Sequence, residues 1–228
     1  MTGTDGPTVL WDIGGVIVDL ASIRAGYTAF VEGLAADHGF DPEDALERWK
    51  ATLGDHFRDR KGNRYRLARE GYAKATATLF DGEPPPEWES RLEAAIEETV
   101  EPEAGAVETI AALSSAEFEL AIVSDIDTPE ARLLLDTLGV RDHFDHVTTS
   151  EAVGYTKPDE RMFLDAIEAT DADTSRSVMI GDRYDHDVVG AAELGIETIG
   201  YGPDAQGPKA DHEIEDLREV PGIVGFDT

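Results

Sequence analysis

The first ordered pattern in the chain is a short apolar run, TVLWDI at residues 8–13, that gives way to a pair of glycines. A run this short, apolar at successive positions, predicts a strand buried on both faces. From about residue 21 to 100 the pattern changes to Ala, Leu, Glu and Arg at helical spacing, with no strand-like run among them. DGEPPPEWES (81–90) predicts a turn whose prolines open another helix, and EPEAG (101–105) punctuates a change of style. After it, short apolar runs alternate with helices. FELAIVSD (118–125), FDHVTTS (144–150), SVMIGD (177–182) and IETIGYG (196–202) read as strands. TPEARLLLDTLG (128–139), KPDERMFLDAIEAT (157–170) and DVVGAAELG (187–195) read as the helices between them, with Gly139 and Gly195 as stops. Such alternation predicts an α/β fold, a mostly parallel sheet with helices on both faces and ligands at the carboxyl ends of its strands.

Those strand ends carry the candidate chemistry. Asp12 follows the first strand, Ser124 closes the second, Asp182 follows VMIG, and Lys157 opens a helix in GYTKPD. A carboxylate at the tip of a buried strand is costly unless something pairs with it. Two carboxylates brought to one sheet edge repel, and a hard divalent cation such as Mg²⁺, which takes oxygen ligands, resolves that repulsion. Carboxylates, a lysine and Mg²⁺ together make a site for an anion, with phosphate the best fit because charge stabilisation dominates phosphoryl transfer.

In order and spacing, WDIGGVIVD, AIVSD, GYTKPDERMF and IGDRYDHDVVGAAELGI resemble the four signature motifs of the haloacid dehalogenase (HAD) superfamily. The resemblance covers essentially the whole chain. It implies a Rossmann-like core made of residues 1–20 and 100–228, with residues 21–99 as an inserted all-helical cap. It also implies that Asp12 is the nucleophile, that Ser124 donates a hydrogen bond to the transferring phosphoryl group, and that Lys157 neutralises charge. Mg²⁺ would be held by Asp12, Asp182 and the Gly14 carbonyl. Asp187 would support the metal or orient Lys157, with Asp185 a near neighbour that could take that part, and an N-cap role remains open for Asp187.

One departure from the family pattern stands out. Its phosphatases usually carry a second aspartate two residues after the nucleophile, which protonates the leaving oxygen and then activates water; here that residue is Gly14. Three readings follow: a phosphatase that works without that group or with a substitute (Asp125, Asp127 or His56), a 2-haloacid dehalogenase, or a non-catalytic phosphate-binding or regulatory module. The GDRYDHD motif argues against the dehalogenase, because those relatives use no Mg²⁺. Asp125 is a second departure, since relatives often have Asn there.

Charge alters the picture further. The 228 residues hold 49 Asp and Glu against 19 Lys and Arg, a formal net charge of −30, and no cysteine, which excludes disulfides and thiolate metal sites. So large an excess opposes compaction at ordinary ionic strength and is relieved by salt, which suggests a halophile's cytoplasmic protein. Nucleic acid is not an expected partner, and no apolar run is long enough to cross a membrane. The amino terminus lacks the order of a signal peptide, and a monomer or homodimer is expected. Against this acidic background, residues 58–74 gather seven cations. In the family, helices inserted at this place select the substrate. Arg64, Arg66 and Arg69 are therefore candidate contacts for a second anionic group on a small phosphorylated substrate. Tyr65, Ala68 and Tyr72, on one helical face, read as core.

Overall fold

The apolar run at the start of the chain becomes β1 (Thr8–Trp11), all four residues of which are buried. The computed structural model describes residues 7–80 and 82–226; residues 1–6, on which the signal-peptide reading falls, and residue 81 of the proline turn lie outside them. β1 is flanked by β2 (Leu120–Ser124) and β4 (Ser177–Gly181), and beyond these lie β3 (His146–Thr149), β5 (Glu197–Tyr201) and β6 (His212–Ile214). The order is β3-β2-β1-β4-β5-β6 and every pairing is parallel.

Side chains alternate across this sheet as the pleat requires. Val9 and Trp11 of β1, Ile122 of β2 and Ile180 of β4 pack with Ile110 of α5 (Ala106–Ser115) and Leu134 of α6 (Thr128–Thr137). Leu10, Val123 and Met179 face the other way, onto Met162, Phe163 and Ala166 of α8 (Glu160–Ala169), which follows the short α7 (Ser150–Val153). Helices therefore cover both faces, as the alternation of the sequence predicts.

Between β1 and α5 the chain forms α1 (Leu20–His38), α2 (Pro42–Arg58), α3 (Ala68–Ala77) and α4 (Trp88–Thr99). α1 starts where the Asp19 carboxylate accepts the Ala21 amide at 2.8 Å, and it ends at Gly39 in the left-handed region. The helices close on an aromatic centre in which Trp49 stacks on Tyr72 at 6.0 Å and donates its indole N–H to Thr76. The two passages between helices and sheet run side by side. Asp19 donates to the Glu101 carbonyl (3.0 Å) and Glu103 to that of Ile17 (2.9 Å).

The structure revises several predicted boundaries. Lys157 does not open a helix: α8 begins at Glu160, capped by the Asp159 carboxylate. The segment read as a helix from residue 187 begins earlier, as a π-helical turn at Tyr184–Val188, and continues as α9 (Val189–Ala192). The basic window is not one helical face, because α2 ends at Arg58 and α3 starts only at Ala68. Among the described residues no helix is long and apolar enough to cross a membrane.

Candidate active site

β1 and β4 are neighbours in register, so the residues that follow them emerge together at the carboxyl edge of the sheet. Asp12 and Asp182 meet there, joined by Asp187 from the π-helical turn. One carboxylate oxygen from each lies within 4.8 Å of the others. Lys157 reaches into the group with its side chain almost wholly buried. Its Nζ stands 3.0 Å from Asp12 Oδ1 and 2.6 Å from Asp187 Oδ1, and donates to the Val123 carbonyl at 2.9 Å. The sequence expectation for Asp12, Lys157, Asp182 and Asp187 thus corresponds to one cluster in space. Asp187 is the fully buried partner of the lysine, whereas Asp185 is exposed. Asp187 does not cap the following helix; its Oδ2 accepts the Arg183 amide at 3.0 Å.

Two glycines make this crowding possible. Gly15 has φ +75, and a Cβ there would fall 2.2 Å from Asp182 Oδ2; at Gly181 it would lie 2.1 Å from the Asp187 Cβ. Both carboxylates occupy space that any other residue would fill.

Burial and mutual repulsion set the electrostatics. Burial pushes the Asp12 carboxyl up to about 6, with Lys157 opposing and Asp187 adding to the rise. Asp182 goes up to about 7 by burial, reinforced by Asp12 and Asp187. Burial alone would lower the Lys157 ammonium, but Asp12 and Asp187 hold it above its ordinary value. Asp182 Oδ1 is buried with no hydrogen-bond partner. An orphan acceptor beside two further carboxylates fits a bound cation with oxygen preference. The donor set, all oxygen and no sulfur or imidazole, points to a hard ion.

Above the cluster lies a cavity of about 320 Å³, also lined by Gly14 and Ser124. Its far wall comes from the helices and from the start of α6. Tyr27 and Tyr72 share a hydrogen bond of 2.7 Å, and Tyr72 donates to Glu130 at 3.1 Å. Ala68 and Tyr72, expected as core, are buried in the main hydrophobic cluster, and with Tyr65 they also line this cavity. Glu130 and Tyr27 were not singled out by the sequence. They meet only through packing of α1 and α3 on α6, and no local motif signals that.

Three arginines were expected to face this cavity, and none lines it. Arg64 lies over the Tyr155 ring, Arg69 pairs with Glu151 at 3.0 Å, and Arg66 donates to the His56 carbonyl while lining an adjoining cavity. The suggested substitutes for the missing acid are also engaged elsewhere. Asp127 accepts from Tyr65 Oη (2.6 Å) and from the amides of Ala68 and Arg69 (both 2.9 Å), fastening the start of α3 to the sheet edge. Asp125 accepts from Ser150, from the Lys157 amide and from His186. His56 is buried between α2 and α3, bonded to the Leu67 carbonyl.

The sequence model of the haloacid dehalogenase-like hydrolases matches residues 7–195, most of the chain. The chain belongs to that family. Among the relatives of this HAD-like hydrolase is a ribulose-1,5-bisphosphate 5-phosphatase of Halopiger xanaduensis, 29% identical, with 88% of this chain and 91% of the relative aligned. A glyceraldehyde 3-phosphate phosphatase of Methanothermobacter thermautotrophicus is 32% identical over 46% of each chain. In three dimensions the HAD phosphatase of Thermococcus onnurineus superposes with a TM-score of 0.75 at 25% identity, over 97% of this chain and 99% of that one. The family match accounts for the parallel sheet and for the helices inserted after β1.

Proposed function

We propose that this HAD-like hydrolase is a Mg²⁺-dependent phosphatase that acts on a small phosphorylated metabolite through a covalent phosphoryl group on Asp12. The observation that carries this reading is the charge balance around Lys157. Three carboxylates meet beside one ammonium, which pairs with Asp12 and Asp187 but not with Asp182, a formal surplus of two acids, and one buried Asp182 oxygen is unpartnered. Asp12, Asp182 and the Gly14 carbonyl would hold a divalent cation, which when bound supplies charge neutralisation to the phosphoryl oxygens. The dehalogenase alternative leaves that surplus unexplained, since halide departure needs no cation.

The residues of the chain divide the remaining tasks. Asp12 Oδ1 is held by the Ile13 amide at 2.8 Å and by Lys157, which leaves Oδ2 as the attacking oxygen. A bond forms from Oδ2 to phosphorus as the ester P–O bond breaks, and the departing alcohol oxygen takes its proton from solvent, because Gly14 offers none. Water then attacks phosphorus, inorganic phosphate leaves, and the Asp12 carboxylate returns. Ser124 donates its hydroxyl to the phosphoryl group in transit, and Lys157 keeps Asp12 ionised and offsets charge on the same group.

The cavity admits only a small substrate, and the named activities of the two relatives favour a phosphorylated sugar or triose. In this reading residues 21–99 form the cap and residues 1–20 with 100–228 the catalytic core. The acidic surface belongs to a halophile's cytoplasm, and the protein works as a monomer or homodimer. Phosphate release from an aryl phosphate in concentrated KCl tests the proposal. Turnover should need Mg²⁺, and Asp12→Asn should reduce it by about a thousandfold or more, the scale expected on losing a covalent nucleophile. Undiminished turnover in that variant would sink it.

A further inference from the structure

We propose that a second anion-binding subsite adjoins the catalytic cavity, built by Arg60 and Arg183 with Arg58 and Arg66 beside them, and that the substrate carries a second phosphate or a carboxylate held there. The inference rests on the phosphatase reading for its first site and adds the class of molecule that fills both. The subsite is a separate cavity of about 370 Å³, open to solvent, that shares Phe57, Tyr65, Asp125 and Arg183 with the catalytic one. Arg183 directly follows Asp182 and Asp125 directly follows Ser124, so the two anion positions are one residue apart along two different strand ends.

Four arginines line this cavity in a chain where acids outnumber bases by 49 to 19. Arg24, Arg48, Arg64 and Arg141 lack an ion pair among the described residues, but none of them lines this cavity, where two further such guanidinia meet. Arg58 pairs with Asp55, and Arg66 has Asp59 at 3.8 Å. Arg60 and Arg183 have no carboxylate within ion-pair distance among the described residues. Each is held instead by a neutral acceptor: Arg60 Nη1 donates to Thr156 Oγ1 at 2.9 Å, and Arg183 Nη2 to His186 Nε2 at 2.9 Å. Because a guanidinium can only donate, His186 Nε2 must accept, which puts its ring proton on Nδ1. That nitrogen donates to Asp125 Oδ2 at 3.2 Å.

Asp125 is the sole carboxylate lining this cavity among the described residues, and its other oxygen already accepts from Ser150 Oγ at 3.0 Å and the Lys157 amide at 2.8 Å. Its charge is spent on these donors, and through His186 it fixes the position of Arg183. The result is a pair of oriented forks whose remaining N–H groups have no acceptor among the described residues. Such forks match the planar oxygens of carboxylate or phosphate, and their prior positioning lowers the ordering cost of binding. They come from opposite sides, Arg60 from the segment after α2 and Arg183 from the end of β4, so a bound anion would also tie the inserted helices to the sheet.

The test uses the full chain and three esters of one carbon skeleton: butyl phosphate, its analogue with a terminal carboxylate, and its analogue with a second terminal phosphate. The wild type should favour one or both doubly charged esters in kcat/KM, and which of them leads identifies the second group. Arg60→Gln and Arg183→Gln should each cut that preference by about tenfold, the scale of one charge-assisted hydrogen bond. Arg60→Lys should restore part of it, and Arg132→Gln, a change at an exposed residue that lines neither cavity, should leave it intact. No wild-type preference, or an equal loss on all three esters, overturns the subsite. If the wild type hydrolyses none of them, the phosphatase reading fails. Calorimetric titration of the same three compounds then decides the subsite by itself: binding of the doubly charged esters lost in the two glutamine variants retains it, and no such binding removes it.

Discussion

Restoring a carboxylate at position 14 isolates the contribution of proton transfer. A Cβ at Gly14 would meet only Leu20 Cδ2, at 3.2 Å, the movable tip of a flexible side chain, and Gly14 lies outside the left-handed region. Gly14→Asp therefore meets little steric resistance, about 1 kcal/mol for a displaced rotamer. At Gly15 the same change would drive an atom into Asp182. The new carboxyl joins Asp12, Asp182 and Asp187. At an effective dielectric near 20, a like charge about 6 Å away costs about 3 kcal/mol, which favours the protonated form needed to donate to a leaving oxygen. Positioned proton transfer typically contributes about 10² to 10⁴ in rate, or about 3 to 5 kcal/mol of barrier. In steady-state phosphate release, Gly14→Asp should accelerate hydrolysis of an alkyl phosphate by about a hundredfold or more. An aryl phosphate, whose leaving oxygen needs little protonation, should gain less than about tenfold. Gly14→Asn places similar atoms without a transferable proton and should give no gain on either ester. Equal behaviour of the Asp and Asn variants, or equal gains on both esters, would refute the reasoning.

Three further expectations concern stability. Asp127→Ala strips the acceptor from Tyr65 Oη and from the amides that begin α3, so urea denaturation should show a loss of about 3 kcal/mol; a loss below about 1 would contradict the fastening role. Burial pushes the Glu130 carboxyl up to about 7 from the ordinary 4.5, with the Tyr72 hydroxyl opposing and Asp127 adding to the rise. The folded state therefore binds the proton more tightly than the unfolded one. The stability this confers is complete below about pH 4.5 and is lost as pH rises to about 7. Because the carboxyl opens partly onto the cavity, the loss is about 1 to 3 kcal/mol, and Glu130→Gln should flatten it; parallel pH–stability curves for the two proteins would rule this out. Self-repulsion at a net charge of −30 should make the urea midpoint rise as KCl goes from about 0.1 to about 1 M, where the screening length shrinks from about 10 to about 3 Å; a flat response would remove the halophilic reading.

What the sequence made legible, and what it hid, divides along a physical line. Asp12, Ser124 and Asp182 stand where buried apolar runs end, and a parallel sheet brings such ends to one edge regardless of how the loops run. Lys157 belongs with them by motif order, although the expected helix around it starts three residues later, at Glu160. β6 went unread because only Ile214 of its three residues is buried, so no apolar run marks it. Arg64 and Arg69 line neither the catalytic cavity nor the adjoining one for a related reason, while Arg66 lines only the adjoining one. Reading residues 58–74 as helical puts Arg66 and Arg69 on neighbouring faces, but the chain leaves α2 at Arg58, turns through Gly62 and Asn63, and resumes as α3 at Ala68. Asp127 makes the deeper point. Its type and place beside the catalytic strand allow an acid–base role, and nothing local says otherwise. What occupies it are donors 58 and 59 residues earlier in the chain, on a different group of helices. Periodicity records what a segment does for itself and for the sheet it joins. A contact between the inserted helices and the sheet edge leaves no period behind, so the residues that shape the substrate cavity are those that sequence patterns conceal most.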